Sequence, residues 1–391
     1  MLPSFPSDPT AKRWFLLDAV EGVRDVVQAC AQKAEEIGTL PQAAVDAIFD
    51  AGLFALKLPE IFGGAETDPV TQFEILEAIA SVDSSAGWCV MIGATSISQP
   101  AAFAGDEAVA EIFKDGVVPK GATVAMPAGK ARRVDGGYVL NGRWPFASGV
   151  RHSQWLTTGA FTVEQSDVSP TYLMLVYPTS SATILDNWNV TGLAGTGSND
   201  VSVTDLFVPE AFTWDFAAWQ PKRGGLSYLM GRPGYVANEH AAFAMGVGRH
   251  ALDEIMQYAS EKRRGYPPSL LVDRPAFQRD MAECDFKLRS AHALCVDVNQ
   301  KAWDVCQTGN VPGLVLQSEM RAVAAYATDV AVDVVTRSYR YAGGSALYRP
   351  GVLQRCLRDI NAAAQHFMVS SSAYENYGAA LLDLSDINPM A

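Results

Sequence analysis

The chain has 391 residues, too many for one ordinary core, and carries a formal charge of −13 with 49% hydrophobic residues. That acidity argues against nucleic acid, whose phosphates need a basic face. No apolar run reaches the length of a membrane span, and the first eight residues, Met-Leu-Pro-Ser-Phe-Pro-Ser-Asp, show no basic stretch leading into an apolar one. A cytoplasmic protein without a signal peptide is therefore expected.

Residues from about 15 to 120 read as helix. Phe73, Leu76, Ile79 and Ala80 recur at helical spacing, and Asp83-Ser-Ser85 is placed to cap the run Ala86-Gly-Trp-Cys-Val-Met91. From about 121 to 225 short β-branched and aromatic runs (123–126, 171–177, 201–208) alternate with Gly, Pro, Asp and Asn, which reads as a small antiparallel β domain. Helix returns in long pieces from about 233. Leu252, Ile255, Met256 and Ala259 form one stripe, and Val323, Ala327, Val330 and Val334 another. Long helices with few strands pack as an antiparallel bundle. The expected organisation is α+β, mostly α. An N-terminal helical domain (1–120) is followed by a central β-barrel-like domain (121–225) and a C-terminal four-helix bundle (226–391). Cys284, Cys295 and Cys306 recur every eleven residues, about three helical turns, and read as buried free thiols on one helix face rather than metal ligands; no metal is expected.

The stretch 141–155, Asn-Gly-Arg-Trp-Pro-Phe-Ala-Ser-Gly-Val-Arg-His-Ser-Gln-Trp, carries the most chemistry. Asn-Gly is a turn pair between two strand-like runs. The loop after it offers a hydroxyl (Ser148), a Gly that lets a flat ligand approach the backbone (Gly149), and aromatic walls (Trp144, Phe146, Trp155). His152 follows four residues after Ser148. Lys262, Arg263 and Arg264 sit at a helix end, where basic side chains complement the dipole or bind phosphate. Trp214 and Trp219 read as packing residues, and His240, His250 and His292 as structural.

Several further segments form a series. Ala51-Gly-Leu53 precedes Leu58-Pro-Glu-Ile-Phe-Gly-Gly64. Gly192-Leu-Ala-Gly-Thr-Gly-Ser198 runs into 201–209. Tyr341-Ala-Gly-Gly344 precedes Arg355-Cys-Leu-Arg-Asp359. In this order, over nearly the whole chain, they resemble the acyl-CoA dehydrogenase fold, in which a hydroxyl at the position of Ser148 meets the flavin N5 edge. Two enzyme classes share that fold. A dehydrogenase needs a carboxylate base beside the flavin. The usual place reads Ala346-Leu-Tyr-Arg-Pro-Gly351, with no Glu; Glu239, in the first bundle helix, is the alternative.

The stretch 353–367 is more similar to the "RD…H" pattern of the two-component flavin monooxygenases. Asp359 and His366 stand seven apart, two turns on one helix face. This resemblance implies an oxygenase component that takes reduced flavin (FADH2 or FMNH2) from a separate NAD(P)H:flavin reductase. With O2 as co-substrate, it would oxygenate a small aromatic molecule through a flavin hydroperoxide. Ser148 and His366 would be catalytic. Trp144, Phe146, Ser148, Gly149, Arg263, Gly343 and Gly344 would bind the cofactor, and Ser96, His152 and Asp359 the substrate. A homotetramer is implied as well. Phenol-hydroxylating relatives often carry a His where this chain has Ser96, and a serine is no base for a phenol at neutral pH. An electron-rich substrate such as an indole is therefore expected, with an acyl-CoA dehydrogenase or an amine N-oxygenase as alternatives. A scaffold without flavin would leave Ser148, the Gly-Gly turn and the basic cluster without a purpose.

Overall fold

A computed structural model describes residues 2–163, 169–384 and 387–390. Helix α1 (Pro9–Ile37) starts where Asp8 accepts the Ala11 N–H at 2.8 Å and stops at Gly38, in the left-handed region at φ 69°. Helix α2 (Gln42–Asp50) follows. Asp68 then accepts from Val70 N and Thr71 N to open α3 (Pro69–Val82). Asp83 Oδ1 accepts from Ala86 N at 2.9 Å at the start of α4 (Ser84–Phe103), as the capping reading anticipates. Helix α5 (Asp106–Ile112) ends the first helical stretch.

The strands are β1 (Gly121–Val134), β2 (Gly137–Ala147), β3 (Trp155–Thr162), β4 (Tyr172–Pro178), β5 (Thr183–Ile184), β6 (Asn199–Pro209) and β7 (Thr213–Asp215). The long C-terminal helices are α6 (Gly234–Glu261), α7 (Pro275–Gln307), α8 (Leu314–Ala342), α9 (Val352–Ala363) and α10 (Ser372–Leu381). Between α6 and α7 lies a two-residue pair, β8 (Arg263–Arg264) with β9 (Ser269–Leu270). The chain divides into two compact units. One holds the described residues of 1–67, 88–189 and 194–228, and the other those of 68–87, 190–193 and 229–391.

In the first unit the strands form one sheet in the order β5-β6-β2-β1-β3-β4-β7. It is mixed rather than wholly antiparallel, because β1 and β3 run parallel. The reason is geometric. The tight turn at Asp135-Gly136 sends β2 back along one side of β1, and the loop after Ala147 delivers β3 to the other side, where it must run with β1. Trp144 on β2 has no exposed surface, and its indole Nε1 donates to Gly159 O at 2.7 Å. The ring lies over Gly129 and Gly142, where a Cβ would stand 2.3 and 2.7 Å from it. Trp144 is thus a core residue of the sheet, not the ligand wall expected from sequence.

In the second unit α6, α7, α8 and α9 pack together, with α3 against α6 and α10 against α8. The apolar stripes lie inward: Phe73, Ile79, Leu252, Ile255 and Val334 are fully buried. Met256 is the exception, 40% exposed at the edge of its stripe. Cys284, Cys295 and Cys306 share one buried face of α7, where burial raises the Cys284 and Cys306 thiols to about 11.

Gly129→Ala tests the Trp144 seat. The added methyl must displace a ring that has nowhere to go, so a loss of about 1–3 kcal/mol in unfolding free energy is expected, the usual cost of overpacking. Urea denaturation reads it, and an unchanged midpoint would show that the sheet yields at this point.

Candidate active site

The loop after β2 opens with a distortion. The β2–β6 register shifts between Trp144 and Ala147, and Phe146 within that bulge adopts φ 66°, rare for an aromatic residue. Phe146 is 67% exposed and meets Trp188 edge-on at 6.3 Å, so of the two aromatic neighbours only Phe146 presents a face outward.

Past the bulge, Ser148 is buried at 7% exposure and its hydroxyl sits in a polar chain. Trp88 Nε1 donates to Ser148 Oγ at 3.1 Å. Ser148 Oγ lies 2.7 Å from Ser198 Oγ, which lies 2.6 Å from Thr196 Oγ1. Gly149 (φ 72°) turns the chain, and its N–H donates to Thr196 O. A glycine is required here on two counts: the positive φ, and the 2.9 Å that would separate an added Cβ from His152 Nε2. Sequence reasoning identified Ser148 but missed its partners. Trp88 stood in an apolar helical run, and Ser198 ended a segment read only as one of the series that carries the resemblance.

His152 packs beside Phe54, ring centroids 6.0 Å apart, and its buried Nδ1 has no hydrogen-bond partner among the described residues. Burial first, then the charge of Lys120, lowers its pKa to about 4. An imidazole so placed is neutral and has one nitrogen left to answer a ligand. Ser96, expected beside the substrate, is 2% exposed and donates its hydroxyl to Ile92 O of its own helix at 2.7 Å.

In the second unit Asp359 on α9 is 1% exposed. One carboxylate oxygen accepts from the Ser84 hydroxyl and the other from Leu193 N at 2.5 Å. Both oxygens are spent on the protein, so Asp359 does not face a substrate as the sequence reading had it. Burial raises its pKa to about 6 against the pull of those two donors.

His366 is not on the Asp359 face of a helix either. Helix α9 ends at Ala363, and His366 lies beyond it with extended backbone (ψ 136°), its Nδ1 accepting from Met368 N at 3.3 Å. That bond keeps the ring proton on Nε2. The ring stacks on His240 of α6, centroids 4.3 Å apart and 27° between planes. Burial, and then the Arg321 guanidinium, hold His366 down at about 4. Arg321, itself 1% exposed, donates to the carbonyls of Phe367, Met368 and Pro389 and so fixes the turn that carries His366.

The basic cluster and the Gly-Gly turn, far apart in sequence, come together in this unit. Lys262 Nζ donates to Ser345 Oγ at 3.0 Å, and Gly343 (φ 61°) lies against the Arg264 guanidinium, where a Cβ would stand 1.9 Å from it. Arg263 is exposed, and among the described residues no carboxylate pairs with 262–264. Gly344 has open space where a side chain would be. Glu239 is 3% exposed on α6. No metal-holding group of His, Cys, Asp or Glu occurs among the described residues, and no helix among them is long and apolar enough to cross a membrane.

Family comparisons agree along the chain. Residues 15–117 match the model of the acyl-CoA dehydrogenase N-terminal domain and residues 239–371 that of the acyl-CoA dehydrogenase C-terminal domain. An indole-3-acetate monooxygenase of Pseudomonas putida is 28% identical over 360 residues, covering 92% of this chain and 91% of that one. A flavin-dependent monooxygenase oxygenase subunit, HsaA of Mycobacterium tuberculosis, is 26% identical over 368 residues, covering 90% and 91%. A solved structure of XiaF from Streptomyces sp., in complex with FADH2 and glycerol, superposes with a TM-score of 0.86 at 25% identity, covering 98% of each chain.

The Asp359 carboxyl makes one test of this geometry possible. Its folded value, about 6, lies above the ordinary 3.8, so the fold takes up the proton first. The stability this supplies is complete below the unfolded value and is lost as pH rises through about 6. The gap corresponds to about 3 kcal/mol. Asp359→Asn, uncharged and of the same shape, should therefore gain on the wild type by up to about that amount between about pH 4 and about pH 7. Urea unfolding of both proteins across this range measures it, and a constant difference would show that Asp359 is not the group that titrates.

Proposed function

The chain belongs to the acyl-CoA dehydrogenase family, and on that premise we propose that it is the oxygenase component of a two-component flavin-dependent monooxygenase acting on a small aromatic or heteroaromatic molecule. The observation that carries this reading is the hydroxyl chain at Ser148. The HsaA and indole-3-acetate monooxygenase likenesses support it over dehydrogenation, as does the absence of a Glu from 346–351. A separate flavin reductase is the partner that such an oxygenase component implies, and a homotetramer is the assembly.

The residues present fit a reduced flavin. A flat ring with hydrogen-bonding edges needs a hydroxyl and a close backbone approach, which Ser148 and Gly149 provide. In the second unit, Arg263 and its neighbours, which have no carboxylate partner among the described residues, stand beside Gly343 and Gly344 as basic groups able to meet an anion. When bound, the reduced flavin supplies the two electrons with which one atom of O2 enters the substrate and the other leaves as water. Ser148 receives a hydrogen bond from Trp88 and keeps its own proton and one lone pair. Because the Ser198 and Thr196 hydroxyls can reverse their direction, Ser148 either donates or accepts at the ligand edge. That suits a ring nitrogen that accepts when oxidised and donates when reduced. Phe146 is assigned to flank the ring; Trp144 is left to the core.

His366 is neutral and carries its ring proton on Nε2. With a conjugate acid near 4 it is a weak base, and so is His152. The Ser96 hydroxyl is turned into its own helix. None of the three can take a phenolic proton near neutral pH, which favours a substrate that is electron-rich without deprotonation, such as an indole. His152, whose buried Nδ1 has no partner among the described residues, is assigned to the substrate side of the site.

Mixing the protein with reduced FMN or FAD, O2 and indole tests the reading: oxygenated indole is expected, and flavin oxidation to hydrogen peroxide alone would overturn it. Two variants test the roles. Ser148→Ala loses one cofactor hydrogen bond, about 0.5–1.5 kcal/mol, so flavin affinity should fall about 2- to 13-fold while the peroxide released per product rises. His366→Ala removes one neutral hydrogen-bonding group, about 0.5–1.5 kcal/mol, so product per reduced flavin in a single turnover should fall by up to about 10-fold, with melting temperature as the control. Wild-type yield would return His366 to a structural role.

A further inference from the structure

Asp359 accepts from two backbone segments of its own unit. The first is the opening of α4, through the Ser84 hydroxyl. One helical turn later the same helix carries Trp88, whose indole donates to Ser148. The second is the stretch 190–193, through Leu193 N. Three residues later the chain reaches Thr196, and then Ser198, whose hydroxyls complete the Ser148 chain.

The second hold is reinforced. Arg358 Nη1 donates to Thr191 O at 2.7 Å, and Gly192 lies so close to Arg358 that a Cβ would stand 2.1 Å from its carbonyl oxygen. Leu193 takes φ 55°, a left-handed conformation that a β-carbon disfavours, at the residue whose N–H Asp359 grips. A helix is stiff over one turn, and Ala194–Thr196 is a single tight 3-10 turn, so the hold on Ser84 is carried along the helix to Trp88 and the hold on Leu193 as far as Thr196, with only Gly197 before Ser198.

We propose that Asp359 is a positioning residue: by gripping the segments that lead to Trp88 and to Thr196 and Ser198, it orients the Ser148 hydroxyl that meets the cofactor. This rests on the flavin-edge reading of Ser148 given above. It also accounts for a carboxylate at 1% exposure whose oxygens both accept from the protein, and it joins two sequence motifs, 192–198 and 355–359, in one task.

The test is a double-variant cycle read by binding. Full-length wild type, Asp359→Ala, Ser148→Ala and the double variant are titrated without oxygen with chemically reduced FMN and with reduced FAD, following the quenching of protein fluorescence, with melting temperatures in parallel. Asp359→Ala is expected to weaken flavin binding about as much as Ser148→Ala, and the double variant to be within about twofold of Ser148→Ala alone, as for groups acting through one another. Asp359→Asn, which keeps an acceptor for Leu193 N and a polar partner for Ser84, is expected to restore affinity to within about twofold of wild type.

Losses that multiply in the double variant, or an Asp359→Ala protein with wild-type affinity, overturn the positioning role. A wild type with no affinity for either flavin overturns the functional reading, and the positioning role with it. Should Asp359→Ala fail to fold, Ser84→Ala replaces it in the same cycle. It removes one of the two grips, and the same non-multiplying result is expected.

Discussion

A polar atom withdrawn from water must find a partner within the protein, and the groups singled out here are arranged around that demand. Asp359 is the sharpest case, a carboxylate at 1% exposure in a chain whose net charge is already −13. Its oxygens are answered by one hydroxyl and one N–H, so the residue that terminates a helical motif also pins two remote pieces of chain. Arg321 repeats the arrangement with the opposite sign. Its guanidinium is answered by carbonyls at 367, 368 and 389. In both cases burial makes the bonds obligatory, and the bonds define the local backbone.

The same withdrawal from water sets the protonation states. His152 and His366 lie in different units, and each is held neutral mainly by burial and secondarily by a cation, Lys120 in one case and Arg321 in the other. Sequence alone presents each as an imidazole of ordinary character, ready to exchange a proton near neutrality. The structure makes them fixed hydrogen-bonding groups. Electron-rich chemistry that asks for no substrate deprotonation is consistent with that environment.

How much was legible depended on the range of the interaction. The stripes at 73–80 and 323–334 showed in the sequence because a helix face is a local pattern, and Ser148 showed because its loop follows a recognisable turn. Trp144 was misread as a ligand wall because a register shift intervenes. The bulge between Trp144 and Ala147 breaks the alternation, sending the indole into the sheet and Phe146 outward. His366 was extrapolated along a helix through three alanines, which are excellent helix formers. Nothing in their propensity announces the stop, which goes with the His366 ring capping the next turn. The stack with His240 and the partners of Ser148 join residues 50 to 126 positions apart, and no local pattern encodes them.

The division of the chain has a consequence for synthesis. Helix α3 belongs with residues that follow position 229, yet it leaves the ribosome among the first hundred. Its buried face includes Phe73, Ile75, Leu76 and Ile79, all at 2% exposure or less in the finished fold. For the time needed to add some 150 residues, at about 5–20 residues per second, that face has no partner of its own unit to cover it. The nascent chain therefore carries an adhesive surface for about ten seconds or more, and a fragment cut at the helix-to-strand boundary near residue 120 would carry it permanently.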